Sequence, residues 1–255
     1  MIKKNYYSIK KIEKEISFAF FSRNGGVSKG LYKSLNCSRS NHDKKANVKK
    51  NINICLENLK IKKKLILINQ IHSNSVLILN NKISKKNLLG DGLITNNKNL
   101  ALGVLTADCA PIFIYDINRN YICCLHSGWK GALNNIVSKG ITKIKRKKIK
   151  SQNIIVIVGP CLGFNNFEVD KKFKLKFIKK NKSYQKFFKS KNRNKDIFDL
   201  RNLINFQISK EGINNVFNIR KDTYKNSHIF FSHRRATHQN KIQTGRMINI
   251  ISLRD

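Results

Sequence analysis

Between Thr106 and Ala132 the chain reads TADCAPIFIYDINRNYICCLHSGWKGA, which brings a carboxylate (Asp108), a thiol (Cys109) and an imidazole (His126) into one stretch. A second imidazole, His72, stands in NQIHSNSV between two apolar runs. One cysteine and two histidines satisfy a catalytic zinc, which takes three N, S or O ligands and keeps a fourth position open. The same residues suit a nucleophilic thiol, with Cys109 activated by His126 and the imidazole oriented by Asp108 or Asp91. A third reading is purely structural, with Cys109 a small buried hydrophobe and His126 a hydrogen-bonded residue at a strand end. Spacing does not choose among them, because the three positions are too scattered for a metal motif.

Two further segments have the chemistry of an anion or ribose site. FSRNGGVSKGLYKSLN is a glycine-rich turn in which Arg23, Asn24, Gly25 and Gly26 can offer a guanidinium and backbone N–H groups. A plain hairpin is the alternative. Near the C-terminus FFSHRRATHQNKIQTGR supplies Arg234, Arg235 and Arg246 in a chain that otherwise uses lysine. Arginine grips phosphate or carboxylate with two parallel hydrogen bonds, so this enrichment marks a second candidate anion site.

The elements that must position these groups are short. Apolar runs at Ile16–Phe21, Leu65–Ile68, Val76–Leu79, Leu100–Leu105, Pro111–Tyr115, Tyr121–Leu125, Ile154–Val158 and Ile229–Phe231 are strand-length and rich in Ile, Val, Leu or Phe. Helical patterns fall at Val48–Leu59, Lys130–Lys148, Lys171–Lys180 and Leu200–Glu211, the last followed by Gly212 as a C-terminal cap. Strands and helices interleave irregularly, which predicts an α+β fold: one layered sandwich of mixed sheets flanked by helices, α/β/β/α or α/β/α. No Pro/Gly/Ser-rich linker interrupts the chain, so residues 1–255 are expected to form one domain with its core at about 17–250. Cys109 and His126 then lie at strand ends, where turns present side chains to a common cleft.

Composition limits the function classes. The 52 Lys+Arg against 14 Asp+Glu would ordinarily suggest nucleic acid or an anionic membrane. Here the excess is nearly all lysine, spread over the whole chain beside abundant Asn and Ile, as AT-rich codons would give. A dedicated nucleic-acid surface concentrates Arg and Lys with interleaved aromatics. The densest basic run, TKIKRKKIK ending at Lys150, is the pattern of a solvated helix end. A basic nucleic-acid-binding protein therefore stays as the non-enzyme alternative, favoured by net charge alone. The charged N-terminus argues against a secretory signal, and no apolar run approaches the ~18–20 residues of a membrane span. The six cysteines lack metal-knuckle spacing, so reduced thiols in a cytoplasmic protein are expected.

In order and approximate spacing, FSRNGGVS, NQIHSNSV, GDGLIT, TADCAPI, HSGWKGA, GPCLG with FEV, and the terminal RR…TGR resemble the laccase-domain family. That family was first labelled multicopper polyphenol oxidase and is now regarded as purine nucleoside phosphorylases with adenosine deaminase activity. The resemblance implies a single layered domain with a zinc held by His72, Cys109 and His126. It implies phosphorolysis of adenosine, inosine, guanosine and methylthioadenosine, hydrolytic deamination of adenosine, and a monomer or small homo-oligomer. Asp108 becomes the candidate proton carrier, and Arg23, Asn24, Gly25, Gly26, Arg234 and Arg235 the candidate contacts to nucleoside and phosphate. Copper is the alternative metal. Laccase chemistry, however, needs a type-1 site together with further histidine-rich copper sites, and six histidines with no His-x-His pair are too few for it.

Overall fold

The computed structural model describes residues 5–79 and 88–254. In chain order the first elements are β1 (Tyr6–Tyr7), β2 (Ile16–Phe21), α1 (Lys45–Asn58), β3 (Lys64–Leu67), β4 (Val76–Leu79) and β5 (Gly92–Thr95). There follow β6 (Leu100–Thr106), β7 (Ala110–Asp116), β8 (Ile122–Ser127), α2 (Trp129–Leu133), α3 (Ile136–Lys145) and β9 (Ile154–Val158). The C-terminal part holds β10 (Glu168–Asp170), α4 (Lys171–Lys180), β11 (Phe188–Ser190), β12 (Lys195–Phe198), α5 (Leu200–Lys210), β13 (Asn215–Asn218), α6 (His233–His238) and β14 (Met247–Leu253).

The strands form a five-stranded sheet, β1-β2-β14-β6-β3, and a six-stranded sheet, β13-β9-β7-β8-β5-β4, with a small third sheet, β10-β12-β11, beside them. Period-2 alternation explains how the two large sheets stack. Phe18, Phe20, Leu102 and Val104 of one sheet meet Phe113, Tyr115, Ile122 and Cys124 of the other in a shared core. The intervening residues face helices. Ala19, Phe21 and Ala101 pack toward α1, while Ile112, Ile114, Cys123 and Leu125 pack toward α2, α3 and α5. The result is an α/β/β/α sandwich. Because both faces of β7 and β8 are covered, every residue of either strand is buried, and their sequences read as continuous apolar runs.

Two expectations need correction. The helix expected over Lys130–Lys148 is two helices, α2 and α3, separated where Asn135 adopts a left-handed conformation (φ 56°). Asparagine tolerates that region, and its side chain accepts a 2.7 Å hydrogen bond from Tyr184. The run Ile229–Phe231, expected as a strand, is irregular. Phe230 and Phe231 are apolar because they fill a small core with Ala107 and Met247, not because they pair in a sheet. The cap at Gly212 is as expected, with φ 69°.

The topology places the chemistry. β3 and β6 are parallel neighbours in the first sheet, with Leu67 opposite Gly103, so both end on the same side. From there the chain crosses twice to the second sheet, once from β3 to β4 and once from β6 to β7. His72 lies on the first crossing and Cys109 on the second.

Candidate metal centre

The crossing that carries His72 is a tight turn held by a single buried carboxylate. Asp91, fully buried at the start of β5, accepts the backbone N–H groups of Ile71 (3.3 Å), His72 (3.1 Å) and Ser73 (2.5 Å) and the Ser73 hydroxyl (2.8 Å). These bonds offset the positive φ of His72, 56°, which a β-carbon disfavours. Register brings the same carboxylate to the end of β8, because Gly92 pairs with Leu125. There Asp91 Oδ1 lies 2.8 Å from His126 Nδ1, and the Asp91 carbonyl accepts the His126 N–H at 2.8 Å. With Nδ1 turned to the carboxylate, Nε2 of His126 is presented to the cleft.

The second crossing is anchored as firmly. Asp108 has φ 93°, and its carboxylate accepts from the Thr223 hydroxyl (2.6 Å), the Ser232 hydroxyl (3.0 Å) and the Arg234 N–H (2.6 Å). Its carbonyl accepts the Leu162 N–H at 2.9 Å. Cys109 is thereby turned toward the two imidazoles. One ligand atom from each of His72, Cys109 and His126 lies within 4.8 Å of the others, the only such cluster of potential metal ligands among the described residues. The rings of His72 and His126 meet edge to face, 5.0 Å apart. His126 is buried, Cys109 half-buried and His72 exposed, so the cluster is closed below and open to solvent on one side. Gly128 is required beside it: a β-carbon there would stand 2.9 Å from Cys109 Sγ and 3.4 Å from His72 Cδ2.

The three groups change one another's protonation. Burial opposes ionisation of Cys109, but the charge and hydrogen bond of His126, and then those of His72, outweigh it and bring the thiol down to about 6. Burial likewise opposes charge on His126, yet the Cys109 thiolate and the hydrogen bond to Asp91 raise it to about 9. Asp91 is held below its ordinary value despite burial, because His126 and Ser73 donate to it. Low pKa and mutual proximity make Cys109 either a ready thiolate ligand or a nucleophile.

The expected substrate-binding arginines are arranged differently. Arg23 donates from Nε (2.9 Å) and Nη2 (2.5 Å) to the Lys33 carbonyl and from Nη1 (3.1 Å) to that of Ser227, and its guanidinium lies 4.4 Å from the Phe231 ring centre. Asn24 donates to the His228 carbonyl at 3.0 Å. Gly26 allows close passage of two chain segments, since a β-carbon there would be 2.4 Å from the Ser34 carbonyl oxygen, and Gly25 has φ 87°. Arg235 donates to the carbonyls of Thr223, Tyr224 and Phe230, and Arg234 to that of Glu168 at 2.7 Å. In this conformation these groups tie loops together around the cleft. What sequence reasoning passed over is the hold of Asp91 on the His72 turn, and Thr223 and Ser232 as anchors of Asp108. His233 was also missed. Its imidazole is kept below its ordinary pKa by burial and by Arg246 and Arg234, and it also feels His72. Of the two acids that the sequence offered as the partner of His126, Asp91 makes that contact, and Asp108 is bonded elsewhere.

A profile of the family described as multi-copper polyphenol oxidoreductase laccase matches residues 17–254. The chain belongs to that laccase-domain family. Among curated laccase-domain relatives, a purine nucleoside phosphorylase of Rickettsia prowazekii is 34% identical over 68% of this chain and 72% of its own length. One of Haemophilus influenzae with the same name is 28% identical over 94% and 95%. Among solved structures, a Neisseria meningitidis protein assigned to family DUF152 superposes with a TM-score of 0.89 at 25% identity, covering 99% of this chain and 100% of that one. A Bacillus licheniformis protein shares the fold, with a TM-score of 0.90 at 23% identity over 99% and 98%. No helix among the described residues is long and apolar enough to cross a membrane.

Proposed function

We propose that this protein is a zinc-dependent purine nucleoside phosphorylase of the cytoplasm that cleaves adenosine, inosine, guanosine and methylthioadenosine and also deaminates adenosine. The observation that carries the reading is the His72–Cys109–His126 cluster, with its ligand atoms within 4.8 Å and one open side, in a chain whose relatives bear the name purine nucleoside phosphorylase. Two imidazoles and a thiolate with an accessible fourth position fit zinc. A blue-copper site would use the same trio with a weak axial ligand such as methionine. Met247, however, is buried with its sulfur 3.1 Å from the Phe231 N–H. When bound, zinc would supply a Lewis acid at the open side of the cluster.

The chain's own residues supply the rest. Asp91 holds the Nδ1 side of His126 and the backbone of the His72 turn, so the His126 imidazole is oriented and the His72 turn is set before any ligand arrives. Asp108 has three donors on its carboxylate, which makes it the anchor of the Cys109 turn in preference to a proton carrier. In phosphorolysis a phosphate oxygen bonds to C1′ of the nucleoside as the C1′–N9 bond breaks. The electron pair leaves with the purine, which takes up a proton, and ribose 1-phosphate remains. In deamination water adds at the ring carbon bearing the amino group, and ammonia departs. The test is incubation of the zinc-loaded protein with adenosine or inosine, with and without phosphate, resolving adenine, hypoxanthine and inosine. Phosphate-dependent release of free base is expected; absence of any base release would refute the phosphorylase reading.

A second reading is favoured by one observation, the thiol brought down to about 6 beside His126, which is also the arrangement of a cysteine hydrolase. Iodoacetamide labelling followed by mass spectrometry separates the two. A zinc ligand is slow to alkylate until a chelator is added, whereas a free nucleophile reacts rapidly in either case.

A further inference from the structure

Arg246 differs from the other arginines around the cleft in how much of its bonding capacity is in use. It leaves the five-stranded sheet where Met247 pairs with Thr106, so register sets it beside the turn that carries Asp108 and Cys109. Its backbone is fixed on both sides: the N–H donates to Asn36 Oδ1 at 3.0 Å, and the carbonyl accepts the Cys37 N–H at 3.1 Å. Gly245 before it lies against the face of Phe231, where a β-carbon would stand 2.5 Å from the ring. The backbone from which the side chain departs is therefore fixed next to the Asp108–Cys109 turn.

Of its guanidinium, only Nη1 is engaged, with the Thr244 carbonyl at 3.1 Å and the Gly245 carbonyl at 3.2 Å. Nε and Nη2 meet no acceptor among the described residues. By contrast Arg23 has all three nitrogens on carbonyls. The residue is half-buried, and the anions that act on it are Cys109 and Asp108. Neither serves as its partner. Asp108 is taken up by Thr223, Ser232 and Arg234, and Cys109 faces the two imidazoles. A half-used planar fork, half-buried and within electrostatic reach of Cys109 and Asp108, is suited to an oxyanion that binds through two oxygens.

We propose that Arg246 is the phosphate anchor of this site, gripping inorganic phosphate with its Nε–Nη2 edge beside the metal cluster. The choice of phosphate as the oxyanion rests on the phosphorylase reading; the anion-binding role of Arg246 does not.

The experiment measures binding, not turnover. Isothermal titration with inorganic phosphate is run on the zinc-loaded and the metal-free protein, as wild type, Arg246→Gln and Arg246→Lys, with Arg193→Gln on the exposed β11–β12 turn as the control for net charge. Saturable phosphate binding by the wild type is expected, weakened about tenfold or more in Arg246→Gln, as suits loss of a charge-assisted pair of bonds. Arg246→Lys keeps the charge but loses the fork and should fall between the two. Inosine binding without phosphate should change less than about twofold. Wild-type phosphate affinity in Arg246→Gln, or no saturable binding by the wild type, overturns the proposal. If Arg246→Gln does not fold, the lysine variant decides, and unchanged affinity there overturns it equally. Phosphate binding through Arg246 in a protein that releases no base would leave this assignment standing and remove the phosphorylase reading.

Discussion

The FSRNGG turn and the crossing at Asp108–Cys109 look equally promising as sequence, since each is a tight turn with polar groups of the right kind. They differ in what remains unused. Around Arg23 the donors find acceptors within the protein, in the carbonyls of Lys33 and Ser227. Around Cys109 the supporting groups are satisfied, but the three ligand atoms point at a space between them and are open on one side. A site is recognised by unmet bonding capacity held in place by neighbours whose own capacity is met. Residue type alone is a weaker guide.

The largest test of that contrast is Cys109→Ser. Serine is a poor ligand at neutral pH, so the variant is expected to lose stoichiometric zinc together with catalysis. That loss is on the order of a thousandfold, the equivalent of several kcal/mol of Lewis-acid stabilisation. Elemental analysis beside turnover checks it, and retained zinc would remove Cys109 from the ligand set. Asp91→Asn comes next. The orienting partner of His126 is weakened while the ligands stay, and metal affinity should fall about 10–100-fold. Competition with a chelator of known affinity reads the change, and unaltered affinity would break the claim that Asp91 prepares the site.

A pH titration sharpens the comparison further. In metal-free protein the Cys109 thiol titrates at about 6, against 9.0 for an ordinary thiol, so its contribution to stability is absent below about 6 and grows as pH rises toward 9. His126 is raised from 6.5 to about 9, so its contribution is complete below 6.5 and lost as pH rises through about 9. The thiolate–imidazolium pair therefore exists between about pH 6 and about 9. The difference in absorbance at 240 nm between wild type and Cys109→Ser should rise near pH 6. A step only near pH 9 would contradict the pairing. The smallest effect on the metal is expected from Arg23→Ala. Releasing the Lys33 and Ser227 carbonyls should lower unfolding stability by about 1–3 kcal/mol while zinc stays at one per chain. Denaturant unfolding with metal analysis measures both, and lost zinc with unchanged stability would reverse the assignment.

Much of this was legible in the sequence, for identifiable reasons. The layered α+β fold could be read because β2, β4 and β9 are clean apolar runs bounded by polar turns. The family motifs brought His72, Cys109 and His126 together where spacing alone could not. What stayed hidden depends on contacts between distant segments. β14 runs through the middle of the five-stranded sheet between β2 and β6, yet its pairing partners lie far back in the chain. The break at Asn135 was invisible to periodicity, since the apolar pattern continues across it. Asp91 and Asp108 were both candidates to orient His126, and only the pairing of β5 with β8 decides for Asp91.

The partners of the Asp108 carboxylate lie 115, 124 and 126 positions further along the chain. During translation, a nascent polypeptide that has emerged through Asp222 already carries Cys109 and both imidazoles but none of those donors. The five-stranded sheet is also incomplete until β14 inserts between β2 and β6. Contacts of such long sequence separation close late. The geometry that would grip a metal thus depends on segments made long after the ligand residues themselves, and closing those distant contacts is what prepares the cluster.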